Sequence, residues 1–409
     1  MADNRFLIII PTRNRANLAQ NAVRSVLQNR HSNFTLVVSD NSSDEHEARL
    51  LSEFCNQTKD PELKYIRPDT SLQMSEHWDW AMRTALTISE PTHVIFLTDR
   101  MVFKRNALED IERVASIYPD KIFSYYWDSI DDRQTPVELN QLAYTEGLFE
   151  ISAEYLLSES AELRFVFALP KVLNSCVPID ILERVRAQHG RYFDSVAPDF
   201  NFAYSSLDLE ESVLYYDKAL LISYGVARSN GMNQVKGVLG KDTKDFMEMI
   251  NNRDVCFESP FPTFLSGTNA ILHEYHFAKE RAVSDKFGDI NRKAYINSLF
   301  GDILNYENKV LKREGLKRMY AELGSEAFRL HAKNRLHVRT RYLNFVERLK
   351  GSTEILEPLT KNTMFNSVEG AIEFANESPR KKAGRGEFLG VKLGSRAGDA
   401  AVVKEIIFQ

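Results

Sequence analysis

The sequence predicts an α/β protein with a central sheet and flanking helices in its N-terminal part, followed by a mainly helical C-terminal region. A continuous aliphatic run at residues 6–10 and the alternation of strand-like and helix-like segments up to residue 97 support the first part. Strong helix formers with few prolines over residues 265–349 support the second part.

Each element of the α/β part follows from a local pattern. The run at residues 6–10, ended by Pro11, is typical of a strand buried on both faces. Apolar residues at helical spacing between residues 18 and 27 predict the first helix. The same reasoning predicts strands at 34–39, 64–67 and 93–97, helices at 45–58 and 76–88, and later strands that include 123–127 and 213–216.

Composition shifts divide the chain into four parts. Residues 1–225 form the predicted α/β domain, and residues 226–264 are a polar, glycine-containing connector suited to a loop that orders on ligand binding. Residues 265–350 form the helical region. The tail, residues 351–409, shows no pattern that assigns its structure.

Charge and cysteine content exclude several classes of protein. Lys and Arg total 52 and Asp and Glu total 57, a net charge of −5 that argues against a surface built to coat nucleic acid. Three widely spaced cysteines imply neither a disulfide framework nor a cysteine zinc site, and fit a reducing compartment. Without an apolar run of about 18 residues, no spanning helix is expected.

Three polar turns, at residues 11–15, 40–44 and 98–100, directly follow predicted strands. The carboxyl ends of parallel strands lie along one edge of a sheet, where open α/β folds bind ligands, so we expect one site there. The first turn lacks a glycine-rich phosphate loop, which argues against dinucleotide and P-loop sites. Each turn alone also fits ordinary turn and cap chemistry.

The residues of these turns resemble a known family. Phe-Leu-Ile-Ile-Ile-Pro-Thr-Arg-Asn-Arg at residues 6–15 and Leu-Val-Val-Ser-Asp-Asn-Ser-Ser-Asp at residues 36–44 are similar to inverting glycosyltransferases of family 2. This resemblance implies the GT-A fold, which is Rossmann-like with a mixed central sheet. Residues 65–67, 74–78 and 96–99 follow in the family's order, and residues 197–199 resemble its later acidic motif. The resemblance spans about residues 5–225 and implies a nucleotide-sugar donor, with a UDP-sugar expected.

The resemblance also implies a nucleotide site, with Asp40 hydrogen-bonded to the base. A carboxylate can accept from a pyrimidine N–H, and backbone amides after a strand can meet phosphate or ribose oxygens. An Asx turn is the structural alternative for Asp40. The implied nucleotide-binding residues are Pro11, Thr12, Arg13, Asn14, Asp40, Asn41, Arg67 and Asp99.

The expected metal motif departs from the family pattern. Family members hold a divalent cation with Asp-x-Asp or Asp-Asp after the strand at 93–97, but this chain reads Thr-Asp-Arg-Met, with Arg100 where the main ligand is expected. An arginine repels Mg²⁺ or Mn²⁺, which prefer oxygen ligands. Asp99 could still bind metal together with the diphosphate, Arg100 could replace the metal's charge, or the site could be degenerate. The sequence favours weak or absent metal dependence.

Asp199 is the candidate base, since inverting transfer needs a group that takes the acceptor's hydroxyl proton. A helix cap is the structural alternative for Asp199. Trp78 and Asn174 are candidates for the sugar or acceptor, and core packing is the commoner role of such aromatic residues. Other acids near the base are Asp194, Asp208, Glu210 and Glu211, and other aromatic candidates are Trp80, Tyr126 and Trp127.

The sequence therefore predicts an inverting, nucleotide-sugar-dependent glycosyltransferase acting on a glycan or lipid-linked acceptor in surface polysaccharide or glycoconjugate assembly. The alternative is a catalytically silent sugar- or nucleotide-binding protein on the same fold, and a nucleotidyltransferase is a weaker third.

Residues 329–350 carry seven basic residues and one acid, a pattern that fits either a solvated helix or peripheral contact with an anionic membrane. The expected location is cytoplasmic, at the inner face of the membrane if that contact forms.

Overall fold

The computed structural model describes residues 4–29, 33–164, 167–229, 266–326, 360–380 and 403–406, with the single positions 231, 233, 237, 244 and 329. The described strands form one mixed sheet with the order β12-β8-β10-β6-β9-β4-β1-β2-β3, in which β5 pairs with β10 and β7 pairs with β6 and β11. The strands are β1 (Phe6–Thr12), β2 (Phe34–Asp40), β3 (Leu63–Ile66), β4 (His93–Phe96), β5 (Met101–Phe103), β6 (Phe123–Asp131), β7 (Val137–Leu142), β8 (Leu148–Ser152), β9 (Ser175–Pro178), β10 (Ser212–Ser223), β11 (Thr360–Phe365) and β12 (Val403–Ile406).

The described helices flank this sheet and continue into the C-terminal region. They are α1 (Ala16–Gln28), α2 (Glu45–Thr58), α3 (Met74–Ala85), α4 (Ala107–Ile117), α5 (Ala153–Ala161), α6 (Ile179–His189), α7 (Pro198–Leu209), α8 (Gly267–Glu280), α9 (Arg292–Asn305), α10 (Lys309–Leu323) and α11 (Val368–Glu377). In the described part of the chain, none of the helices has the length and apolarity needed to cross a membrane.

Strand β1 is buried on both faces, as its aliphatic sequence predicts. Leu7 and Ile9 join the hydrophobic cluster on one side of the sheet, whereas Ile8 and Ile10 join the cluster on the other. The strand continues two residues beyond the predicted end, through Pro11. Since β4 ends opposite Ile9, the missing N–H of Pro11 falls where no neighbouring strand needs it.

The sheet changes character between its two halves. Strands β1 to β4 pair in parallel, which brings the ends of β1 and β2 level, with Thr12 opposite Asp40. Strand β9 then pairs antiparallel with both β4 and β6. The sheet is therefore mixed, as predicted, and β6 and β10 run longer than their predicted segments at 123–127 and 213–216.

The C-terminal region is helical where the structure describes it, in agreement with the sequence. Tyr275 of α8 packs against Tyr204 of α7, with ring centroids 5.3 Å apart in an edge-on arrangement. Helices α9 and α10 form their own cluster around Phe300 and Met319. The basic segment, residues 329–350, lies outside the described residues except for Arg329. Most of the predicted connector at residues 226–264 also lies outside them.

The tail extends the sheet, which the sequence did not predict. Strand β11 pairs antiparallel with β7, and β12 pairs antiparallel with β8. Between them, Ala371 and Ala375 of α11 are buried against Ile130 and Leu139 of the sheet. Residues from both ends of the chain thus build one sheet.

Candidate active site

A cavity of about 780 Å³ lies at the carboxyl ends of β1 and β4. The turn after β1, the turn after β4 and the C-terminal half of β6 form much of its wall. The first turn of α7 and the first turns of α8 line it as well. The α/β part and the helical region therefore share this one cavity.

Hydrogen bonds join the three polar turns, which confirms the prediction that they meet at one edge of the sheet. The Asn41 N–H donates to the Thr12 carbonyl at 2.9 Å, and the Asn14 N–H donates to the Ser42 hydroxyl at 2.8 Å. Asn14 has a φ of 55°, in the left-handed region that asparagine tolerates. The Thr12 hydroxyl donates to the Asp99 carboxylate at 2.8 Å.

Asp99 lines the cavity but is already engaged by a cation. Arg15 Nη1 lies 3.2 Å from Oδ1 of Asp99, and Asp99 is 2% exposed. Within the described ranges, no three His, Cys, Asp or Glu side chains cluster in a way that could hold a metal ion. One carboxylate shared with an arginine does not fit a hard divalent cation. The residues present therefore do not fit the metal that the family resemblance implies.

Arg100 lines the same cavity. The one described hydrogen bond of its guanidinium is a long one, from Nη1 to the Tyr224 carbonyl at 3.5 Å, and no carboxylate of the described chain lies within 4 Å of the guanidinium. Burial lowers the pKa of this guanidinium, although arginine stays protonated in proteins. Arg100 thus supplies a permanent positive charge that is available to an anionic ligand.

Gly225 explains how the chain passes over the Arg100 side chain. Its φ is 67°, and a Cβ added there would lie 3.3 Å from Leu18 and 3.4 Å from Cγ of Arg100. The Asp132 carboxylate accepts the N–H groups of Gly225 and Val226 at 2.9 and 2.8 Å. A glycine held by a carboxylate therefore fixes the segment that covers Arg100.

Two of the implied nucleotide-binding residues do not line the cavity. Asp40 is fully buried, and its two oxygens accept from the Ser42 N–H and the Tyr65 hydroxyl, both at 2.8 Å. Arg67 pairs with Glu45 at 2.6 Å and donates to the Ser42 carbonyl. Both residues brace the turn after β2. The other implied residues, Pro11, Thr12, Arg13, Asn14, Asn41 and Asp99, all line the cavity.

Asp199 lies at the cavity in the first turn of α7, directly after Pro198. Burial raises the pKa of its carboxyl, while the Lys171 ammonium and backbone N–H groups act in the opposite direction. The positive end of the helix dipole favours a carboxylate at this position. Asp194, Asp208, Glu210 and Glu211 do not line the cavity.

Helix α8 holds the segment that leads into Asp199. Glu274, which is fully buried, accepts the N–H groups of Val196 and Ala197 at 2.9 and 2.7 Å. The His273 ring lies within hydrogen-bond distance of the Ser195 hydroxyl, at 2.9 Å. Burial raises the pKa of Glu274 to about 8. No local pattern in the sequence predicts this contact, because the residues are almost 80 positions apart.

Trp78 and Asn174 both line the cavity. Trp78 also packs edge-on against Phe193, at 5.8 Å between ring centroids, so one side of it belongs to the core. The Asn174 amide nitrogen donates to the backbone carbonyl of Tyr125 at 3.3 Å. Its Oδ1 is buried and has no hydrogen-bond partner among the described residues. Asn174 therefore has an acceptor atom available for a hydroxyl group.

Lys171, His77 and Phe200 also line the cavity, and the sequence analysis did not select them. A lone lysine between Pro170 and Val172 in an apolar stretch was the available signal for Lys171. His77 lies within 2.8 Å of the Ser39 hydroxyl, and burial lowers its pKa to about 3, so it is neutral. Of the further aromatic candidates, Trp127 lines the cavity and Trp80 and Tyr126 do not.

Sequence comparison connects this site to a family. Residues 7–163, which include β1 to β8 and the three polar turns, match glycosyl transferase family 2. This part of the chain is a family 2-like glycosyltransferase domain. No sequence among the curated proteins matches the chain. The mixed α/β sheet of this glycosyltransferase is in accord with the GT-A fold that the resemblance implied.

Solved structures of S. aureus TarS are similar to this glycosyltransferase at 15% identity. The match to TarS 1–349 covers 89% of this chain and 97% of the TarS chain, with a TM-score of 0.41. The match to its complex with UDP-GlcNAc has the same coverage and a TM-score of 0.43. The match to its complex with UDP covers 95% of this chain and 100% of the TarS chain, with a TM-score of 0.41. At these scores the similarity carries no further conclusion.

Proposed function

We propose that this glycosyltransferase moves a sugar from a nucleotide-sugar, most simply a UDP-sugar, to a hydroxyl of a glycan or lipid-linked acceptor with inversion. The observation that supports this most is that a cation without a carboxylate in contact, Arg100, and a partly buried carboxylate, Asp199, line one cavity. Inverting transfer needs both groups. The leaving diphosphate needs positive charge, and the attacking hydroxyl needs a base.

The donor end of the cavity is the edge where the polar turns meet. The side chains of Thr12, Arg13, Asn14 and Asn41 line this edge and suit ribose and phosphate oxygens, and the Asp99 carboxylate suits a ribose hydroxyl. Arg100 then makes a forked contact with the diphosphate and stabilises its charge as the glycosidic bond breaks. The step uses no metal, because the donor set at Asp99 does not fit one. Weak or absent metal dependence is therefore part of the proposal.

Asp199 acts as the base. The acceptor oxygen attacks the anomeric carbon as the bond to the diphosphate oxygen breaks, and the hydroxyl proton passes to the Asp199 carboxylate. Burial raises the pKa of Asp199, which makes the carboxylate a better proton acceptor than an exposed aspartate. Trp78 offers a face to the sugar ring, and Asn174 offers its Oδ1 to a sugar or acceptor hydroxyl.

Asp40 and Arg67 keep a place in the proposed nucleotide site, although neither lines the cavity. Contact between Asp40 and a base would add to, or replace, the hydrogen bond from Tyr65. Arg67 would act through the turn that it braces.

The role in surface polysaccharide or glycoconjugate assembly, and a cytoplasmic location at the inner face of the membrane, rest on the family resemblance alone.

The Arg15–Asp99 salt bridge favours one second candidate, a silent sugar- or nucleotide-binding protein on the same fold. Thermal unfolding with a panel of nucleotide sugars tests whether the cavity binds donors. A ligand at 100 times its Kd adds about 2.7 kcal/mol to the free energy of unfolding. Stabilisation with sugar transfer supports the enzyme, and stabilisation without transfer to any acceptor supports the silent binder. No stabilisation by any nucleotide sugar contradicts both.

A further inference from the structure

Lys171 is a cation in the cavity wall to which the protein gives no anionic partner in contact. Its ammonium lies 4.9 Å from the ring centroid of Trp127 and 5.1 Å from that of Phe200. Among the residues that the structure describes, no carboxylate lies within 4 Å of the ammonium and no acceptor forms a hydrogen bond with it. Two aromatic rings therefore hold the charge in place and leave its donors unused.

A partly buried cation without a hydrogen-bond partner is unfavourable unless something else occupies the site. The pKa of Lys171 is lowered by burial, and Asp199 is the charged group that favours its protonated form. Asp199 loses its negative charge when it takes the acceptor proton. A second anion beside Lys171 would keep the ammonium balanced through that step.

The position of Lys171 assigns this anion to the acceptor rather than to the donor. In an inverting displacement the base and the leaving group lie on opposite sides of the anomeric carbon. Lys171 lies near enough to Asp199 to influence its pKa, whereas Arg100 lies at the donor edge. The anion that Lys171 binds therefore approaches from the side of the attacking hydroxyl.

We propose that Lys171, Trp127 and Phe200 form a subsite for an anionic group, a phosphate ester or a carboxylate, carried by the acceptor near its reacting hydroxyl. This inference rests on the proposed function and adds the chemical class of its acceptor. The two rings offer apolar faces to the C–H groups of a sugar or polyol, and the ammonium donates to the anionic oxygens.

The test measures binding to the full chain saturated with UDP, so it does not depend on turnover. Glycerol 3-phosphate is compared with glycerol, and methyl glucuronide with methyl glucoside, in the parent, Lys171→Met and Lys171→Arg. Lys64→Met is the control, because Lys64 is exposed on β3 and does not line the cavity. The two pairs distinguish a phosphate from a carboxylate.

We expect the parent to prefer one anionic probe over its neutral partner. Lys171→Met should weaken that probe about tenfold or more, as expected for a lost charged hydrogen bond, with the neutral probe unchanged. Lys171→Arg and Lys64→Met should keep the preference. Equal weakening of charged and neutral probes, no charge preference in the parent, or an equal loss of UDP affinity in Lys171→Met would overturn the inference. UDP failing to bind the parent would instead contradict the proposed function.

Discussion

Arg15 forms a salt bridge with Asp99, with Nη1 of the arginine 3.2 Å from Oδ1 of the carboxylate. The acid that remains at the expected metal motif is thus already balanced by a cation on the neighbouring turn. The Thr12 hydroxyl occupies the other oxygen, Oδ2, at 2.8 Å. A divalent ion at Asp99 would have to share this carboxylate with an arginine and a hydroxyl.

The first prediction follows from this pair. Sugar transfer by the parent should continue in EDTA at a rate within a few fold of the rate with added Mn²⁺, because Arg100 supplies the charge that a metal would supply. Assays at matched ionic strength, with EDTA alone and with excess Mn²⁺, measure this. Complete loss in EDTA with rescue by Mn²⁺ would contradict the idea of charge replacement.

The second prediction concerns Arg100 directly. Arg100→Ala should lower kcat by about 10²-fold or more, as expected when a group that stabilises transition-state charge is removed. Arg100→Lys keeps the charge and loses the fork, so its activity should lie between the two. Steady-state kinetics on the three proteins measures the order. Equal activity of parent and Arg100→Ala would show that the guanidinium does not act on the leaving group.

The third prediction separates two roles of Asp40. Because Asp40 is fully buried and accepts two hydrogen bonds, Asp40→Ala should lower the free energy of unfolding by about 1–3 kcal/mol. Tyr65→Phe removes one of those bonds and leaves the carboxylate in place, so it is the matched control.

Calorimetric titration with UDP then tests base recognition by Asp40. If Asp40 contacts the base, Asp40→Asn should weaken UDP binding much more than Tyr65→Phe does. A similar UDP affinity in both variants would mean that Asp40 only braces the turn after β2.

The fourth prediction concerns the buried Glu274. Its pKa in the folded protein, about 8, lies above its ordinary value of 4.5. Between these values the folded state holds a proton that the unfolded state has lost, so the free energy of unfolding falls as pH rises from about 4.5 to about 8. The slope from this residue is at most about 1.4 kcal/mol per pH unit.

Glu274→Gln removes this titration and should flatten the pH dependence in that window. Urea unfolding of parent and variant at pH 5, 6.5 and 8 measures the two slopes. The glutamine side-chain oxygen can still accept the Val196 and Ala197 N–H groups, so the variant tests the titration without releasing the backbone before Asp199. Identical pH slopes in the two proteins would mean that Glu274 does not hold its proton in the folded state.

The sequence predicted the parallel half of the fold well because its signals are local. The run at residues 6–10 is buried on both faces, and the predicted helix at 45–58 matches α2 (Glu45–Thr58). The polar turns were predicted to meet because parallel strands end at one edge, and the bonds from Thr12 and Asn14 confirm that they do.

The parts that sequence reasoning missed depend on contacts between distant residues. Glu274 and Ala197 meet only because α8 packs on α7, and β11 joins β7 from more than 200 positions away. Asp40 has the position of a cavity residue because it ends β2. Its carboxylate instead accepts an internal hydrogen bond from the Tyr65 hydroxyl of β3. No local pattern carries this information.

The most direct test of Asp199 as the base of sugar transfer is the transfer rate of Asp199→Asn at a saturating donor concentration. An amide cannot take the acceptor proton at neutral pH, so transfer should fall by about 10²-fold or more while calorimetry shows unchanged UDP affinity. Asp194→Asn is the matched control, because Asp194 lies in the same segment but does not line the cavity. Transfer by Asp199→Asn within a few fold of the parent would contradict this role of Asp199, since the base would then be another group.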